Sequence, residues 1–86
     1  MSRAASIESL TKACHVGDFR VVARILGKDA TLVDESDSQG FTPLTAACAG
    51  DHEAIVLLLL KKGASVNLAD GNGITPLFYA SNQGFE

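Results

Sequence analysis

The chain repeats itself. Gly40, Thr42, Pro43, Leu44 and Ala47 recur 33 residues later as Gly73, Thr75, Pro76, Leu77 and Ala80, and Asp37 recurs as Asp70. A weaker copy lies upstream at an offset of 34, where Leu10, Ala13, Cys14, Val22 and Lys28 correspond to Leu44, Ala47, Cys48, Val56 and Lys62. Beyond Lys28 the offset returns to 33, pairing Val33 with Val66, so the first copy carries one extra residue within 29–32. A period of this length marks supersecondary units that cannot bury their apolar faces alone and must stack on one another. The 86 residues leave room for one small domain and none for a large enzyme core.

Each copy reads as a turn followed by two helices, which makes the chain all-α. Thr42 and Thr75 are suited to the N-cap, and the proline after each takes the first helical position, where its missing N–H costs nothing. In the helix that follows, Leu44, Ala47 and Cys48 form one apolar stripe whose small members allow close helix approach. The second helix, about 52–61, carries Ile55, Val56, Leu59 and Leu60 and ends in Lys61, Lys62 and Gly63, the cations and glycine of a helix stop. Segment 66–74 contains Asp70-Gly71-Asn72-Gly73, turn chemistry of the hairpin kind.

These features together resemble the ankyrin repeat family. "DSQGFTPLTAACAGDHEAIVLLLLKKGASVNLAD" follows that family's turn, TPL, inner-helix and GA-x-V-N pattern, and the resemblance runs from about Ser6. It implies a solenoid of stacked helix-turn-helix units joined by β-hairpin-like turns: a capping repeat over 6–40, a full repeat over 41–73 and a truncated third over 74–86. The family usually has His after TPL, whereas this chain has Thr45 and Phe78; Thr45 can replace the imidazole hydrogen bond and Phe78 cannot. Where Gly17 and Gly84 separate the paired helices, the middle copy has Asp51 preceded by Gly50, and Asp tolerates a left-handed backbone. Arg24 stands where the second copy has Leu58, which suits a first repeat with a wet outer side. The third copy stops as its outer helix should begin, so the chain reads as a piece of a longer array or one whose C-terminal face is covered by a partner or by self-association.

Chemistry is mostly excluded. Cys14, His15, Cys48 and His52 have the composition of a zinc site, yet repeat symmetry explains both cysteines as buried stripe residues, with Ser81 at the third position. Equivalent stacked helices lie about 8–10 Å apart, too far for a disulfide. No nucleophile has a base and an orienting group within reach, Gly71-Asn72-Gly73 lacks the residues of a phosphate loop, and Asp34, Glu35 and Asp37 read as a solvated acidic turn. No enzyme activity, cofactor or metal is expected. A net charge of -3 argues against nucleic acid, and the longest apolar run, 54–60, is too short for a membrane span. The expected compartment is the cytoplasm or nucleus.

What remains is recognition of another protein, as an adaptor or scaffold, through the concave face and hairpin tips; the alternative is the targeting or regulatory piece of a larger enzyme or signalling protein. By the resemblance, the partner-binding positions are Ser38, Gln39, Phe41, Ala46 and Ala49 in the second copy and Asn72, Ile74, Tyr79 and Asn82 in the third, with Lys12 and His15 extending the strip into the first. Phe41 and Tyr79 are the expected anchors, each worth about 2 kcal/mol when central; packing between neighbouring tips is the competing role for Phe41 and Ile74. Leu57 is apolar where the family favours a polar residue, and Asn67 stands where ankyrin proteins can be hydroxylated, though such asparagines mostly order the turn.

Overall fold

The computed structural model describes residues 3–69, 71 and 73–75, except for the side chains of Arg3 and Ala4. The helix expected over 76–82 and the positions Asn72, Phe78, Tyr79 and Asn82 lie outside the described residues. Four α-helices are described: α1 (Arg3–Val16), α2 (Phe19–Lys28), α3 (Pro43–Ala49) and α4 (Glu53–Lys61), with a 3-10 turn at Ala30–Asp34 between the second and third.

The two helical pairs are built alike. Asp18 caps α2 by accepting from the Val21 N–H at 3.3 Å, and Thr42 Oγ1 caps α3 by accepting from the Thr45 N–H at 3.2 Å. Each satisfies an amide that the first helical turn leaves without a partner. Within each pair the chain reverses through the same hydrogen bond, Asp18 N–H to the Ala13 carbonyl at 2.9 Å and His52 N–H to the Ala47 carbonyl at 3.0 Å. Immediately before it sits a left-handed residue, Gly17 at φ 91 and Asp51 at φ 61, so the aspartate does adopt the conformation that glycine takes in the first copy. The last turn of α4 closes on Lys62, Gly63 and Ala64, with Gly63 at φ 93.

Stacking buries what one pair could not. α1 packs on α3 to form an inner layer, α2 meets α4 in an outer one, and the layers meet within each pair. Leu10, Ala13 and Cys14 are buried on α1, and Leu44, Ala47 and Cys48 are buried on α3 at the corresponding positions. Val22, Leu26, Ile55 and Leu59 complete the core from the outer helices. The small side chains at Ala13, Ala47 and the two cysteines leave room for the backbones of the inner helices to approach.

The extra residue of the first copy is accommodated in the 3-10 turn. Asp29 caps it through its side chain, accepting from the Thr31 N–H at 3.1 Å, and Leu32 and Val33 plug into the core. No strand occurs among the described residues. Asp37 N–H donates to the Phe41 carbonyl at 2.8 Å, and one bond, Gly71 N–H to the Gly40 carbonyl at 2.9 Å, joins successive tips. A Cβ on Gly40 would stand 2.6 Å from the Gly71 Cα, so the close approach requires glycine there. Thr45 is fully buried, and Thr42 Oγ1 donates to its hydroxyl at 3.0 Å, so the buried oxygen has a partner within the first turn of α3. Arg24 is exposed, and Leu57 is 60% exposed while Ile55 and Leu59 are buried, so the apolar run of α4 buries one face only. Among the described residues no helix is long and apolar enough to cross a membrane.

Candidate functional site

Asp37 organises the first tip. Its Oδ1 accepts from the N–H groups of Gln39 and Phe41, both at 2.9 Å, and its Oδ2 accepts from the Thr11 hydroxyl at 2.8 Å. Bonds to an ionised acceptor are roughly twice as strong as neutral ones, so this carboxylate both shapes the turn and ties it to α1. One turn earlier on α1, Glu8 holds the tip a second time, accepting from Ser38 N–H at 2.6 Å and from its hydroxyl at 3.1 Å. The tip is therefore fixed relative to the inner layer by two acidic side chains.

These ties shape an open groove of about 360 Å³. One wall is the exposed face of α1, with Glu8, Lys12, His15 and Val16; the other is the tip, with Gln39 and Phe41. Ala46 on α3 lies at its floor. Positions at i, i+4 and i+7 or i+8 share one side of a helix, which is how a single face of α1 lines the whole groove. Rim and floor differ in chemistry: a cation, an imidazole and an amide surround an aromatic ring and small apolar surface.

The structure brings Lys12, His15, Gln39, Phe41 and Ala46 into one groove and places exposed Ser38 beside it. Ala46 is only 3% exposed, so it offers a floor rather than a projecting side chain. Ala49 and Ile74 are half-buried and do not line this groove. Glu8, Thr11, Val16 and Asp37 were not anticipated as parts of it. For Asp37 the recurrence at Asp70 was a usable signal, because a carboxylate repeated at a turn is a side-chain acceptor for the turn's own amides. The reading of Asp34 and Asp37 as merely solvated is corrected, since Asp34 Oδ1 accepts from the Ser65 N–H at 2.8 Å and ties the first connecting segment to the second.

The Cys and His residues do not converge. Burial pushes the Cys14 thiol up to about 12 and the Cys48 thiol up to about 11, so both remain protonated at neutral pH and are poor nucleophiles and metal ligands. His15 is exposed. His52 Nε2 donates to the His15 carbonyl at 2.9 Å, since a carbonyl can only accept, and the ring lies between Gly17 and Gly50. A Cβ on Gly17 would come within 2.6 Å of its Cε1 and one on Gly50 within 2.8 Å of its Cδ2. His52 is thus a wedge that seats one inter-helix turn on the other.

Residues 10–86 match the family described as Ankyrin repeats (3 copies). The chain is an ankyrin repeat protein. Such repeats are protein–protein interaction modules. A similar chain occurs in the solved structure of the predatory endopeptidase Bd0816 from Bdellovibrio bacteriovorus in complex with immunity protein Bd3460, with a TM-score of 0.80 and 31% identity. The match covers 87% of this ankyrin chain and 39% of the solved one, so this chain spans well under half the length of that neighbour. No curated protein matches it.

Proposed function

We propose that this ankyrin domain recognises a protein partner through the wall formed by α1, the first tip and α3, and that it acts by occupation, as an adaptor or scaffold, without catalysis or cofactor. The observation that carries this reading is the groove itself: Lys12, His15, Gln39 and Phe41 face the same open space over the Ala46 floor, held in place by the bonds of Asp37 and Glu8. A rigid concave surface with an aromatic side chain amid polar groups has the composition of a binding centre, because little ordering entropy is lost when it is filled. Beyond the groove itself, the proposed contact surface takes in Ser38 and Ala49 in the second repeat and Asn72, Ile74, Tyr79 and Asn82 in the third.

The solved neighbour is a complex of an endopeptidase with an immunity protein, which favours a role in which binding alone has the effect. We place the module in a reducing compartment, cytoplasmic or nuclear, where the free thiols Cys14 and Cys48 would persist. The test is Phe41→Ala, measured against a partner captured by the unsubstituted chain. A loss of affinity of about thirtyfold, equivalent to about 2 kcal/mol, is expected with an unchanged circular dichroism spectrum. Unchanged affinity would remove Phe41 from the site, and loss of helix signal would show its role to be packing.

A further inference from the structure

A second groove lies on the opposite side of α1, where α1 and α2 of the first repeat open away from the second. It is larger, about 600 Å³, and its floor is Val21, Ile25 and Leu32. Val21 and Ile25 pack against the core on one side while remaining half-buried on the other. Arg24 and Lys28 stand over that floor, with Ser6 and Ser9 facing them from α1. Arg20, Arg24 and Lys28 are spaced i, i+4 and i+8, so they form one exposed ridge along α2, with neighbours about 6 Å apart along the axis. None of the three makes an ion pair with a described residue. In a chain with seven Lys and Arg and a net charge of -3, this row gathers three of those seven cations on one helix face.

Asp29 also lines the groove, its Oδ1 accepting from both the N–H and the hydroxyl of Thr31 in capping the 3-10 turn, so the lining sets two cations against one carboxylate. An incoming group therefore meets apolar surface at the bottom, two cations one turn apart at the rim and hydroxyls opposite. Apolar side chains flanked by carboxylates at one-turn spacing complement all three features. A lipid surface does not, because the apolar atoms are recessed below the cations instead of projecting beyond them.

We propose that this groove is a docking site for an acidic amphipathic helical segment of a protein partner, separate from the concave groove. Apolar side chains of the segment cover Val21, Ile25 and Leu32, and its Asp or Glu residues pair with Arg24 and Lys28. Isotope-labelled full-length chain titrated with a synthetic helix of about 14 residues, bearing Leu at i, i+3 and i+4 and Glu one turn apart, tests this by NMR. Saturable shifts of the Val21, Ile25, Lys28 and Leu32 amides are expected. Affinity should fall about tenfold in the Arg24→Gln, Lys28→Gln double variant, fall similarly when the peptide's Glu residues are changed to Gln, and stay unchanged in Phe41→Ala. Both substituted cations are exposed, so the variant should keep the wild-type spectrum outside the groove. Absence of saturable shifts, equal binding of the Gln peptide, equal binding by the double variant, or the same shifts produced by phosphatidylserine vesicles would each overturn the proposal. The concave groove is read out independently through Phe41, so failure here leaves that assignment standing.

Discussion

Three glycines and two cysteines carry most of the residue-scale lesson, because each answers to a different constraint. Gly50 is constrained by space alone: it has an ordinary helical backbone, but a methyl group there would clash with the His15 carbonyl and the His52 ring. Gly17 is constrained by both space and its left-handed φ of 91. Gly27, inside α2, has nothing within 4 Å of a built Cβ. Gly50→Ala should therefore cost about 2 kcal/mol by overpacking, whereas Gly27→Ala should gain about 0.5–1 kcal/mol from helix propensity and a less flexible unfolded chain. Urea denaturation of the two variants checks this, and the opposite signs make it a sharp test. The cysteines predict a pH dependence. Their folded values, about 12 and about 11, lie above the usual 9.0, so the unfolded chain loses these protons first as pH rises. Their contribution is complete below pH 9 and is lost as pH rises toward 11 and 12, so the denaturation midpoint should fall across that window in the wild type and less steeply in Cys14→Ala, Cys48→Ala.

At the scale of elements, the caps and turns were largely legible and the ties between them were not. Thr42-Pro43 marks the start of α3 because a hydroxyl acceptor and a ring lacking N–H fit the first turn, and the structure begins the helix there. Asp51 was readable as a left-handed position from its alignment with Gly17. The contacts that Glu8, Thr11 and Asp34 make are long-range, and no local pattern encodes a partner 26 to 31 residues away. The His52 wedge escaped for the same reason, as it depends on glycines from two turns. At the first tip the turn residues fix a reversal, closed by the Asp37 N–H bond to the Phe41 carbonyl. Two substitutions separate these effects. Thr42→Ala removes the cap of α3 and should destabilise by about 1 kcal/mol. Leu57→Glu alters a side chain 60% exposed on α4 and should change stability by less than about 0.5 kcal/mol. Thermal melts of both distinguish them, and a large loss in Leu57→Glu would mean that this leucine is covered in solution.

For the whole molecule, stacking produces a wall that neither helical pair could form alone. The groove takes its sides from α1 and from the tip of the next repeat, so the 33-residue period in the sequence sets the geometry of the proposed site. Lys12, His15, Gln39 and Phe41 were placed on the partner side through the resemblance to ankyrin repeats, in which residues that do not serve the stack are free to face outward. Ala46 lines the same groove, and its 3% exposure makes it part of the floor. The central claim is that the partner of the concave groove meets this wall and not the exposed face of α4. Site-specific photocrosslinking tests it most directly, with the reactive residue placed in turn at His15, at Gln39 and at Leu57 in cells expressing the full chain. Covalent capture of one protein from both His15 and Gln39, with none from Leu57, is the predicted result; capture from Leu57 alone would contradict the account.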